Sequence, residues 1–199
     1  MKNRILKKLL LSILLASACY IATPAIAQEM PPPPPPPAKD YFPKTWDEYT
    51  SEAGKFRARF PGKPQEEVSA QGKFEKQALE YKGLLLYRVS SVDYKTTIED
   101  PQKVKAALQG VKDAALASLK DRDMKLIAER EVTVDGHSGI FIHIEVGGKE
   151  VVRAEWVIAG SRLYMVSVDS RKGSPQEMEG QDDFAKIVEG FISSFHVLP

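Results

Sequence analysis

Few side chains in this sequence can do chemistry, and their spacing decides what they can do. In 199 residues there are three histidines, His137, His143 and His196, and a single cysteine, Cys19. His137 and His143 are six positions apart, which can put two imidazoles on one face of a strand because side chains alternate with period two. No Cys, Asp or Glu completes a zinc set around them, so surface histidines fit the pattern better than a metal site. His137 and Ser138 are adjacent, a base beside a nucleophile in the chain, but neighbours on a strand point to opposite faces and cannot partner each other. No G-x-S-x-G elbow, P-loop, dinucleotide fingerprint or EF-hand loop occurs, and no cofactor is expected.

The remaining chemistry depends on how strands pair. Turn dipeptides at Gly147-Gly148 and Gly160-Ser161 and the Asp135-Gly136 turn divide the second half of the chain into strands near Lys125–Val134, Gly139–Val146, Glu150–Ala159 and Arg162–Asp169. A two-residue loop at Gly147-Gly148 would set Ile140, Ile142 and Ile144 opposite Glu155, Arg153 and Val151. A three-residue loop, Gly147 to Lys149, sets them opposite Trp156, Ala154 and Val152 instead. One residue of slip flips every side chain to the other face. The three-residue loop, with a bulge, is expected because it keeps two charges off the core. That register gathers Phe141, His143, Glu145, Arg153 and Glu155 on one side of the sheet, the only polar constellation the sequence generates. It can be read as an acid/base site or an interaction patch, against the background that alternating charges occur on the solvated face of any antiparallel sheet.

Other elements must support these strands. Phe56, Ala58 and Phe60 alternate with Arg57 and Arg59 as a half-buried strand does, and Pro61-Gly62 ends it. Strands over Lys73–Tyr81 and Leu84–Tyr94, broken at Lys82-Gly83, complete the first half. Asp100-Pro101 is a helix start, followed by Val104, Ala107, Leu108, Val111, Ala115 and Leu119 on one stripe ending near Lys120. Arg171 to Gly180 is a polar loop, after which Phe184, Ile187, Val188, Phe191, Ile192 and Phe195 define a second apolar helix face. Phe42, Trp46 and Tyr49 fit a flap over one end of the core better than a sugar or peptide platform. The expected class is α+β, an antiparallel sheet meander flanked by an internal and a C-terminal helix, both roofing its apolar side.

The ends of the chain bear on location. Residues 1–27 have a basic start, an apolar run from Leu9 to Ala18 and small residues at Ala25 and Ala27, the form of a secretory signal peptide. Cys19 follows Leu15-Ala16-Ser17-Ala18, a degenerate lipoprotein cleavage box, and is the expected lipidation site if that box is used. Without it a cleaved chain has no cysteine, so no disulfide supports the domain. Pro31 to Pro37 form an extended spacer of roughly 22 Å at about 3.1 Å per residue. This gives a signal peptide at 1–27, a proline-rich linker at 28–44 and a single domain at 45–199. The whole chain has 28 basic and 27 acidic residues; without the four basic residues before position 10 the balance is 24 to 27. That mild acidity argues against nucleic acid as a partner.

The succession GKFRARFPGKPQE, meander strands, a helix opened by Asp-Pro, VDGHSGI, GSRLYMVSV and FISSF resembles a set of uncharacterised exported bacterial domains. These in turn look like the fold of PsbP, the extrinsic photosystem subunit, and of the Mog-type Ran-binding proteins. The resemblance covers about Tyr49 to Val197. It implies a binding or assembly module without a common catalytic residue set, and the signal-like residues 1–27 place it in the periplasm or outside the cell. Neither a photosynthetic role nor Ran binding carries over, because no specific binding motif matches. The partner expected is an envelope protein or a small ligand, with the membrane reached only through a lipid anchor at Cys19. The alternatives are a lipoprotein carrying an apolar ligand near Phe191 and Ile187, and an unfamiliar hydrolase using His143 with Glu145 or Glu155.

Overall fold

The structure, a computed structural model, describes residues 43, 45–68, 74–81, 85–94, 96–148, 150–170 and 182–199. The signal sequence, Cys19, the proline run, Phe42, the Lys82-Gly83 break and the 171–180 loop lie outside them, as does the Phe184 side chain.

The strands are β1 (Asp47–Ser51), β2 (Phe56–Phe60), β3 (Gln65–Val68), β4 (Phe74–Tyr81), β5 (Leu85–Asp93), β6 (Met124–Val134), β7 (His137–Val146), β8 (Glu150–Ala159), β9 (Arg162–Ser170) and β10 (His196–Val197). Two helices, α1 (Pro101–Leu119) and α2 (Asp182–Ser193), complete the described elements, with a short 3-10 turn at Lys120–Arg122. Seven strands form one sheet in the order β3-β4-β5-β9-β8-β7-β6, and β1-β2-β10 form a smaller one. Every described strand pairing is antiparallel. The class is therefore α+β, as the turn signals and the two apolar stripes indicate.

The register between β7 and β8 is the one that keeps Arg153 and Glu155 off the isoleucine face. Ile140 stands opposite Trp156, Ile142 opposite Ala154, Ile144 opposite Val152, and Val146 opposite Glu150, as a three-residue connection requires. The bulge is elsewhere: the register shifts in β6, between Leu126 and Ala128. Gly139 lies inside β7, where a Cβ would meet the Trp156 carbonyl oxygen at 2.6 Å and Val132 Cγ2 at 2.9 Å. Phe195 also departs from expectation, since α2 ends at Ser193 and Phe195 enters the core from the following turn.

The helices do not share one side of the sheet. Val104 and Leu108 of α1 pack with Ile140, Ile142, Ile144, Ala154, Trp156 and Leu163, while Val188, Phe191 and Ile192 of α2 pack with Tyr87, Val89, Val157, Tyr164 and Val166. The two sets alternate along the same strands, so they are opposite faces. One helix covers each face, and the small sheet closes the α2 side with Phe56, Ala58 and Phe60. This corrects the expectation of a single roofed side. The physical reason is that the central strands are apolar on both faces: Leu85-Leu86-Tyr87 and Trp156-Val157-Ile158 are all buried.

Each helix is fixed by local chemistry. The Asp100 carboxylate accepts from Gln102 N at 2.9 Å and Lys103 N at 3.3 Å, and Pro101 fills the first helical position. Lys112, 8 % exposed, emerges from the stripe to give Glu129 of β6 two bonds of 2.8 and 2.9 Å. On α2, the Phe191 ring lies 5.2 Å from Phe60 and 5.2 Å from Tyr87, and Trp46 stands edge-on to Tyr87 at 5.5 Å. Trp46 and Tyr49 are thus part of the closure of the core end.

Candidate interaction face on β6–β8

The five polar-constellation residues lie on the α2 side of the sheet, beyond the edge of the aromatic core. Phe141 is paired with Glu155, His143 with Arg153, and Glu145 with Val151. Side chains of alternate residues share a face, so all five are brought together on one strip. Phe141 is half-buried and packs on the core cluster beside α2.

The edge strand β6 supplies a sixth member that the sequence reading missed. Before the bulge, Leu126 opposes Ile144; continued unchanged, that register would put Ile127 opposite His143 and Glu129 opposite Phe141. After it, Ala128 opposes His143 and Arg130 opposes Phe141. The bulge therefore exchanges a glutamate for an arginine on this face. It also turns Glu129 and Glu131 toward α1, where Lys112 and Lys105 bind them, the latter at 2.6 Å. The only sequence signal was the Glu-Arg-Glu alternation at 129–131, whose phase cannot be fixed without locating the bulge.

Arg130, Phe141 and Glu155 form a compact group. The Arg130 guanidinium carbon sits 4.4 Å from the centre of the Phe141 ring, and its Nη2 is 3.9 Å from Glu155 Oε1. Glu155 is 6 % exposed, whereas the Arg130 side chain is 58 % exposed. Burial pushes the Glu155 carboxyl above its usual range, and the Arg130 charge only partly opposes this. A cation over an aromatic face and beside a carboxylate is held by two weak attractions.

The other candidates separate. His137 and His143 share a face, but six strand residues hold them roughly 20 Å apart at about 3.4 Å per residue. Asp135 accepts from Val197 N at 2.9 Å and lies 3.1 Å from His196 Nδ1, tying the C-terminal strand to the β6–β7 turn. Among the described residues no group of three or more His, Cys, Asp or Glu is arranged to hold a metal ion. His143, Glu145 and Glu155 are neighbours across a strip, with same-strand spacings of about 7 Å. Phe191, fully buried among rings, is a core residue. On the α1 side, Arg88 bonds Asp169 at 2.7 Å, a second feature that the alternation of β5 and β9 did not reveal.

The chain is similar to the Ran-binding protein Mog1p of Saccharomyces cerevisiae, at 14 % identity over 77 % of this chain and 96 % of that one, with a TM-score of 0.49. It is also similar to cyanobacterial PsbP from Synechocystis, at 15 % identity over 76 % and 92 %, with a TM-score of 0.39. Both folds that the sequence resembled are thus among the structures it matches. No protein-family model and no curated protein matches the chain. Among the described residues no helix is long and apolar enough to cross a membrane.

Proposed function

We propose that the chain is an exported, non-catalytic binding or assembly domain whose working surface is the strip of Phe141, His143, Glu145, Arg153 and Glu155, extended by Arg130. Export rests on the signal-like residues 1–27, and Pro31–Pro37 serve as the spacer that holds the domain, residues 45–199, away from its point of attachment. Lipidation at Cys19 is the one route by which it would join a membrane. Its partner is another envelope protein or a small ligand.

The observation that carries this reading is Glu155. A carboxylate is costly to bury unless it is hydrogen-bonded or paired, and groups held away from their ordinary pKa concentrate at functional sites. Glu155 lies at the rim of the core beside a half-buried aromatic, where an apolar residue would serve the fold better. Side-by-side residues on a strip suit a docking surface, which needs an aromatic anchor and fixed charge, more than a reaction centre, which needs convergence on one atom.

The test is a crosslinking pull-down from intact cell envelopes with the wild-type chain and Arg153→Glu, the variant first matched to wild type by circular dichroism. Recovery of one stoichiometric partner by wild type, lost in the variant, is the expected result. An unchanged partner with the folded variant would overturn the assignment of the surface.

A further inference from the structure

Resting on that reading of the surface, we infer that the strip recognises a carboxylate-bearing protein segment, with Arg130 as the residue that contacts it and Phe141 and Glu155 as the residues that position Arg130. Three features lead to this partner chemistry. First, the charges on the strip are unequally exposed: the Glu155 side chain is 8 % exposed while the Arg130 side chain beside it is 58 % exposed. At this pair an approaching molecule meets the guanidinium rather than the Glu155 carboxylate, and the half-buried Glu145 lies farther along β7, opposite the exposed Lys125. Second, Arg130 is held without being used up. Its Nη2 is 3.9 Å from Glu155, beyond hydrogen-bond length, and its guanidinium carbon lies 4.4 Å from the centre of the Phe141 ring, which leaves donors of its fork for a carboxylate. Third, the bulge at Ile127 gives up one regular step of the β6–β7 ladder and in return puts Arg130, rather than Glu129, on this face, while Lys112 and Lys105 take the displaced glutamates on the other. On this face β6 exposes Lys125, Ala128 and Arg130, so its exposed charges there are both positive.

A positioned arginine on an aromatic ring at the edge of a desolvated core is the composition in which binding energy concentrates at protein interfaces. Charge complementarity then selects acidic partners and repels basic ones.

The experiment is a titration of the isotopically labelled full-length chain, followed by NMR, with two probes: a hexaglutamate peptide and a hexalysine peptide. Hexaglutamate is expected to shift the Arg130 Nε–H and the backbone amides of 141, 143, 153 and 155, with affinity that falls as salt is raised. Arg130→Gln is expected to weaken it about tenfold, as for a truncated hot-spot arginine, with other resonances unmoved. Glu155→Gln should leave a smaller loss together with altered Arg130 side-chain relaxation, the sign of a positioning role. Hexalysine shifting these same resonances while hexaglutamate does not would overturn the acidic partner but keep the surface. Hexaglutamate shifts confined to other parts of the molecule, or insensitive to Arg130→Gln, would overturn the inference; the pull-down with Arg153→Glu judges the surface separately.

Discussion

Glu155 and Gly139 are single residues whose types are dictated by what surrounds them. The folded-state pKa of Glu155 is raised from an ordinary value of 4.5, chiefly by burial, with Arg130 opposing. Between the ordinary and the raised value the folded chain binds more protons than the unfolded one, so stability falls as pH rises through that window. Glu155→Gln is therefore expected to stabilise the protein at neutral pH, the gain disappearing as pH is lowered to the ordinary carboxylate range; urea unfolding at a series of pH values measures it. Gly139 has a different constraint. A methyl there would sit against the Trp156 carbonyl, so Gly139→Ala is expected to lose about 1–3 kcal/mol, as overpacked sites do, read as a lower urea midpoint at unchanged slope. The sequence puts Gly139 at the start of a strand, but the constraint on it comes from the neighbouring strand, which spacing along the chain does not report.

At the scale of elements, most of the strands and both helices were legible because their signals are local. Asp100-Pro101 caps a helix through its own side chain, and Ile140, Ile142 and Ile144 leave only one register with a dry core. The elements that were missed, β1, β3 and β10, are short or polar: Gln65–Val68 is exposed throughout, and His196–Val197 has two residues. They exist because a neighbour pairs with them. The β10 strand is the clearest case, since Asp135, 61 residues away from His196, binds both its histidine and its next backbone N–H. Burial raises the Asp135 pKa, but the hydrogen bonds from His196 and Val197 and the charges of His196 and His137 outweigh it, and the net shift is downward. The stabilisation is thus present above the ordinary carboxylate value of 3.8 and is lost as pH falls through the lowered one. Asp135→Asn, which tolerates the left-handed turn conformation at φ 49°, is expected to speed exchange of the Val197 amide at neutral pH and to flatten its acid dependence. Hydrogen exchange followed by NMR gives both numbers.

For the molecule as a whole, the consequence is a layered arrangement in which the central strands of the large sheet are buried on both sides, while the proposed working surface lies at its more exposed β6–β7–β8 margin. The two-sided burial was written in runs such as Ala154-Glu155-Trp156-Val157-Ile158, all of them buried. Strict alternation was the wrong template for these central strands. Because α2 joins the small sheet to the large one through Phe191, which meets Trp46, Phe60 and Tyr87, its truncation is felt in both sheets. Phe191→Ala is expected to cost about 3–5 kcal/mol, seen as one cooperative transition at lower temperature rather than as loss of a peripheral helix. The candidate strip was legible in part: five residues followed from the β7–β8 register, while Arg130 did not, because a bulge changes which residues of β6 face it.

The most direct test of the strip as the working surface is site-specific photo-crosslinking in intact envelopes, with the photoreactive residue introduced in place of Lys125 on this face or of Lys103 on the exposed side of α1. The account predicts a discrete, saturable adduct from position 125 and none from position 103. A saturable adduct from 103 with nothing from 125 would contradict it.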